Sequence, residues 1–230
     1  METIEIKSVA HLSELVDDKF DDEDNTTVIY RGLKDFVKYK LQPKVGRPDV
    51  RFDGKKLTPK NEERIFEFFK RRYVGLATLN PADKWELLAI AQHHGLPTRL
   101  MDWTRNPLVA AYFAVQKKFE GDSVIYAWRC QKEFLSKTLP SPFKIDKVTR
   151  YIPRFIDTRI RAQSGLFTAH PYPYSPLQEP GLVQLRFPNK DELRKQIKRS
   201  LWRLGVDEAT MFPDLDGLAR HIEWLQTDCH

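Results

Sequence analysis

QHHGLPTRLMDWTRNPLVAAYFA, residues 92–114, changes character halfway along. Its first 14 residues hold two His, two Arg, one Asp, one Trp and two Thr, and then the sequence turns apolar. Pro97 rules out a continuous helix through the first half and drives Leu96 towards an extended conformation, so residues 98–103 read as a short strand. Thr104 is the candidate N-cap of a following helix, with Pro107 in the first turn, where a missing N–H costs little. Leu108, Ala111, Tyr112 and Val115 then recur at helical spacing. A polar strand thus runs into the positive end of a buried helix, a common setting for holding an anion or a phosphate.

Upstream, Asp83 caps a helix through Trp85, Leu87, Leu88, Ile90 and Ala91 that delivers Gln92, His93 and His94, with Gly95 as its left-handed stop. Before it, Thr58-Pro59 starts a helix to about residue 72. Residues 26–30 are a β-branched run ending at Arg31-Gly32, which puts a guanidinium beside a backbone that a ligand can approach closely. Residues 34–53 are basic and broken by Pro43, Gly46 and Pro48, an irregular surface loop. Near the start, residues 3–6 form a strand and Ser8 caps a helix over 9–18.

Downstream, residues 123–129 alternate as a strand, 166–168 are strand-like behind Arg161, Gln163 and Gly165, and 182–187 form another strand. A basic helix spans 191–204, capped by Asn189 and stopped by Gly205. A short helical turn covers 207–210 and a last helix 215–225. Strands and helices mix without regular βαβ alternation. The fold class is therefore α+β: a single domain over residues 1–230, with a mixed or antiparallel sheet core and flanking helices. No linker composition, repeat or low-complexity tract divides it.

The formal net charge of +6 and the pI of about 9.2 favour polyanionic partners. Two Cys, 130 and 229, argue against a disulfide scaffold and exclude a Cys-based structural zinc site. His93 and His94 are adjacent rather than at the i, i+4 spacing of a helical metal pair, so no metal site is expected. No apolar run reaches the roughly 20 residues that span a bilayer, and the acidic, amphipathic start does not read as a signal peptide. A cytoplasmic protein with no membrane partner is expected.

The chemistry-bearing residues have structural alternatives. Arg99 and Asp102, three apart, could pair with each other. Trp103 could be core or stack on a base, Thr104 could only cap its helix, and Gln163 could be a ligand donor or a surface residue. GxGxxG, Walker A, GxSxG and HExxH motifs are all missing.

At these residues the chain resembles the FRG domain family. Tyr30-Arg31-Gly32 is similar to its aromatic-Arg-Gly signature, with Tyr for Phe. Residues 91–114 resemble its most distinctive block, 161–171 a Gln-Gly-x-Phe segment, and 212–222 its closing block. The order of features is also similar to ADP-ribosyltransferases of the Arg–Ser–Glu class. Residues 28–32 resemble the strand ending in Arg. Residues 100–114 resemble the strand and helix of the Ser-Thr-Ser element, with Asp102-Trp103-Thr104 in its place. Residues 161–168 resemble the strand of the catalytic Glu, with Gln163 near its position.

The second resemblance implies an NAD-dependent transferase, a bacterial toxin or anti-phage effector that modifies RNA, DNA or protein. In it Arg31, Gly32, Gln92, His93, Arg99 and Thr104 contact NAD, and Asp102, Gln163 and His94 carry the chemistry. Gln163 cannot supply the charge of a Glu, so the carboxylate role falls to Asp102 or the site only binds. The competing expectation is a non-enzymatic nucleic-acid or nucleotide sensor, whose warrant is the basic loop and the basic helix.

Overall fold

The structure is a computed structural model that describes residues 1–20, 27–76, 80–117, 120–130, 141–154 and 158–229. The element order is β1 (Glu2–Glu5), α1 (Val9–Phe20), β2 (Thr27–Leu33), β3 (Arg51–Phe52), β4 (Lys55–Lys56), α2 (Pro59–Arg72), α3 (Lys84–His93), β5 (Leu100–Thr104) and α4 (Pro107–Val115). It continues through β6 (Ser123–Cys130), β7 (Thr149–Tyr151), α5 (Thr158–Ala162), β8 (Gly165–Ala169), β9 (Leu182–Phe187), α6 (Asp191–Arg203), α7 (Glu208–Met211) and α8 (Leu215–Thr227). This is an α+β fold. A seven-stranded mixed sheet runs in the order β1-β9-β6-β2-β5-β8-β7, with β3 and β4 as a separate small hairpin.

The sheet has a weak seam. β2 shares seven register pairs with β6, and β5 shares five with β8, but β2 and β5 meet at Tyr30↔Thr104 alone. The strands therefore separate past that pair, leaving a split between one half of the sheet, β1-β9-β6-β2, and the other, β5-β8-β7. Helices α1, α4 and α6 bury one face through Leu12, Val109, Ala110, Tyr112, Ile197 and Leu201 against Val28, Tyr30, Ile125 and Leu185. Leu41 and Leu177, from two loops, cover Ile29, Met101, Trp103 and Tyr126 on another patch. α2 and α3 bury Phe66, Trp85 and Leu88 against Leu100, Tyr151 and Phe167.

Most helix starts follow local chemistry. Thr58 accepts from Asn61 N while the Asn61 side chain accepts from Thr58 N, and Asp83 accepts from Trp85 N and Glu86 N, both 2.9 Å. Gly95 takes φ 84° and ends α3 as expected. α4 differs: its cap is Asn106, which accepts from Leu108 N at 2.9 Å, not Thr104. α6 starts without a side-chain cap: its N-cap position is Lys190, not Asn189. Gly32 answers to packing: a Cβ there would lie 1.9 Å from the Ala110 carbonyl oxygen, so α4 can cross β2 only over a glycine. The strand β7 and the helix α5 were not foreseen.

Candidate functional site

The split between β2 and β5 opens into a cleft of about 420 Å³, within the usual size of a small-molecule site. Arg31, Asp102 and Gln163, 132 residues apart at their extremes, all line it. β2 runs on through Arg31 rather than stopping before it. Where the ladder to β5 ends, the Arg31 guanidinium takes over: its Nη1 donates to the Asp102 main-chain carbonyl and lies 3.4 Å from Asp102 Oδ2. The Arg31 side chain is 14% exposed and that of Asp102 56%. Burial pulls the Arg31 pKa below its ordinary value, opposed by the Asp102 charge and reinforced by nearby Arg47. A guanidinium remains charged at any physiological pH, so such a group favours the arrival of an anion that relieves its desolvation.

Asp102 is further held by Gln92, whose Nε2 lies 3.2 Å from Oδ2 and whose Oε1 accepts from Thr98 Oγ1 at 2.7 Å. Gln92 and His93 both line the cleft at the end of α3. His94 is exposed and does not line it; its ring meets that of His93 edge-on at 5.2 Å.

Three expectations are redirected. Arg99 pairs neither with Asp102 nor with the cleft. It is buried against Glu62, with Nη2–Oε2 at 2.7 Å and Nε–Oε1 at 3.1 Å, and lies over Phe143. Thr104 lines the cleft, but its hydroxyl is committed: it donates to the Gln163 carbonyl at 2.7 Å and accepts from Asn106 N at 3.0 Å. The start of α4 does not face the cleft either. The helix contributes Ala110 and Phe113, one turn further on, and its first free N–H is taken by Asn106.

Gln163 sits on the far wall. Its Nε2 donates to the Met211 carbonyl at 3.0 Å, which leaves Oε1 as the acceptor the side chain offers. The same wall brings Arg159 and Phe212. Arg159 pairs with Asp214, the cap of α8, and lies 5.6 Å from the Phe212 ring, which meets Phe113 edge-to-face at 6.1 Å. Lys44 and Arg47 complete the rim, Lys44 Nζ donating to the Gly95 carbonyl at 2.6 Å. Sequence reasoning missed Lys44, Arg47, Arg159, Phe113 and Phe212 as wall residues. Lys44 and Arg47 lie in the basic loop, Phe113 in the quoted block 91–114 and Phe212 in the block 212–222, while Arg159 stands just ahead of 161–171.

A family model described as FRG domain matches residues 26–123. That segment of the chain is similar to the FRG domain. It supplies Arg31, Asp102, Thr104 and the α3 end, hence two sides of the cleft. Arg159, Gln163 and Phe212 come from beyond the FRG match. No curated protein and no solved structure matches the chain. Among the described residues, no helix is long and apolar enough to cross a membrane.

Proposed function

We propose that the cleft binds NAD and transfers its ADP-ribose to an acceptor. The observation that carries this reading is the meeting of Arg31, Asp102 and Gln163 at the one place where the sheet parts. The donor set suits a dinucleotide. Arg31, Lys44 and Arg47 are cations suited to a pyrophosphate. Phe113 and Phe212 are apolar faces for a ring. Gln163 Oε1 and the Asp102 carboxylate can accept from ribose hydroxyls.

In the reaction, the bond from the ribose C1′ to nicotinamide breaks and nicotinamide leaves with the electron pair. An acceptor oxygen or nitrogen bonds to C1′ and gives up its proton. Asp102 is the one carboxylate lining the cleft among the described residues, so it is the group to steady the developing positive charge and receive that proton. Gln163 orients and carries no charge.

One observation favours the milder alternative, a nucleotide-binding module without turnover: Asp102 Oδ2 is already engaged by Arg31 Nη1 at 3.4 Å. A single experiment separates the two. NAD is titrated calorimetrically into the protein, and nicotinamide release is followed by chromatography with cell lysate as acceptor source. Release that Asp102→Asn abolishes while NAD binding persists supports transfer. Binding without release leaves the sensor reading. Absence of both ends the proposal.

A further inference from the structure

The sequence offered two basic segments as a polyanion surface, and the structure separates them. On α6, Arg194 is buried and donates to the Lys117 and Gly121 carbonyls at 3.0 and 2.9 Å, and Lys198 lies 4.7 Å over the Trp224 ring. These charges hold the helix in place, and they border a separate hollow of about 140 Å³ that also carries Asp191 and Asp228. The loop at 34–47 differs. Its one acid, Asp35, is buried and spent on the turn, accepting from Val37 N at 3.0 Å and Lys38 N at 2.8 Å. Lys38 and Lys40 are exposed.

Next to this turn lies a groove of about 370 Å³ whose walls include Lys38, Tyr39, Lys40 and Arg47, with Asp49 as the opposing charge. Arg47 lines both this groove and the cleft, so the two adjoin at that side chain. Two ammoniums lie over the Tyr39 ring, Lys34 Nζ at 5.8 Å and Lys38 Nζ at 5.6 Å from its centroid. The loop bearing Tyr172, 77% exposed, is tied to this segment through Leu177 N to Leu41 O at 2.8 Å and Gln42 Nε2 to Pro173 O at 3.3 Å.

We propose that this groove docks single-stranded nucleic acid and leads the strand past Arg47 to the cleft. Cations gathered at an aromatic ring suit a strand whose phosphates pair with Lys38 and Lys40, drawing the Lys38 ammonium off the ring so that a base takes its place on Tyr39. A duplex keeps its bases stacked on one another and cannot use the ring. An acidic peptide gains nothing from it. That the bound strand is the acceptor rests on the transfer reading above; the docking itself does not.

The test is fluorescence anisotropy on the full chain with a labelled single strand of about 12 nucleotides, its duplex and polyglutamate as probes, from about 50 to 200 mM salt. The single strand is expected to bind best and to weaken steeply with salt. Lys38→Glu with Lys40→Glu, and separately Tyr39→Ala, should each weaken it on the order of tenfold. Lys195→Glu with Arg203→Glu, on exposed positions of α6, should leave it unchanged. No single-strand binding, equal loss with the α6 pair, no loss with either groove variant, or preference for duplex or polyglutamate overturns the proposal. NAD titration of the same proteins keeps the two readings apart. NAD binding without strand binding sinks the docking alone, and strand binding without NAD binding sinks the cleft assignment alone.

Discussion

Arg31 reaches across the parted seam of the sheet to the main-chain carbonyl of Asp102, standing in for the ladder bond that β2 and β5 do not make beyond Tyr30↔Thr104. The same guanidinium both closes the floor of the cleft and charges it.

Arg31→Ala should therefore separate binding from stability. A fork to phosphate is worth roughly 1.5–3 kcal/mol, so NAD affinity should fall at least about tenfold in calorimetric titration. Asp102 is more than half exposed, and water can replace the lost donor, so the midpoint of urea unfolding should move by less than about 1 kcal/mol equivalent. Arg31→Lys should recover only part of the affinity, because an ammonium cannot reach carbonyl and phosphate as a planar fork does. An affinity unchanged by either substitution would remove Arg31 from the binding account.

Arg99 belongs to stability. Its side chain is 4% exposed and that of Glu62 2%. Burial pushes the Glu62 carboxyl up, and Arg99 opposes that shift. Glu62→Gln leaves a buried guanidinium short of its counter-charge and should cost about 3–5 kcal/mol in urea unfolding. The double change Glu62→Leu with Arg99→Met should restore part of that loss. If the double variant is as unstable as the sum of its parts, the pair is not a closed unit.

Much of this frame was legible from sequence where local chemistry decides it. The box at Thr58, the Asp83 cap, the Gly95 stop and the alternation of residues 182–187 need no distant partner, and each element stands where those signals put it. The three site segments could be named because each joins a strand to an unusual polar cluster. What failed was long-range. Glu62 lies 37 residues before Arg99, and nothing near Arg99 shows that its partner sits on α2. Thr104 and Asn106 are both good caps by type, and only the Thr104 bond to the Gln163 carbonyl decides between them. β7 is three residues long in a cationic stretch, too short for its alternation to stand out. The far wall of the cleft became visible only when α5, α7 and α8 met around Phe212.

Gly32 tests the packing that aims Arg31. A methyl group there would lie 1.9 Å from the Ala110 carbonyl oxygen and 2.8 Å from Ala114 N, both backbone. Neither β2 nor α4 can yield without disturbing the core they share. Gly32→Ala is expected to cost about 3 kcal/mol or more, read as a large fall in the thermal midpoint or as insoluble protein. A midpoint within a few degrees of the parent would mean that α4 is not seated on β2 as described.

His170 makes the fold sensitive to acid. It is 3% exposed at the end of β8, bonded to Thr168 Oγ1 at 2.9 Å, and Thr168 accepts from the Trp103 indole at 2.8 Å. Burial, with the charges of Arg31 and Arg99, lowers its pKa from 6.5 to about 3. The folded state therefore holds His170 neutral, and the unfolded chain binds the extra proton between pH 6.5 and 3. Stability falls as pH drops through that window and is not affected by this group above it. At pH 5 the contribution amounts to about 2 kcal/mol. Urea unfolding between pH 7 and 5 should show this loss, and His170→Gln, which cannot take up a proton, should flatten the slope even if it lowers stability at both ends. An equal slope in the two proteins would place the acid sensitivity elsewhere. It would also mean that His170 is not held neutral between the two arginines.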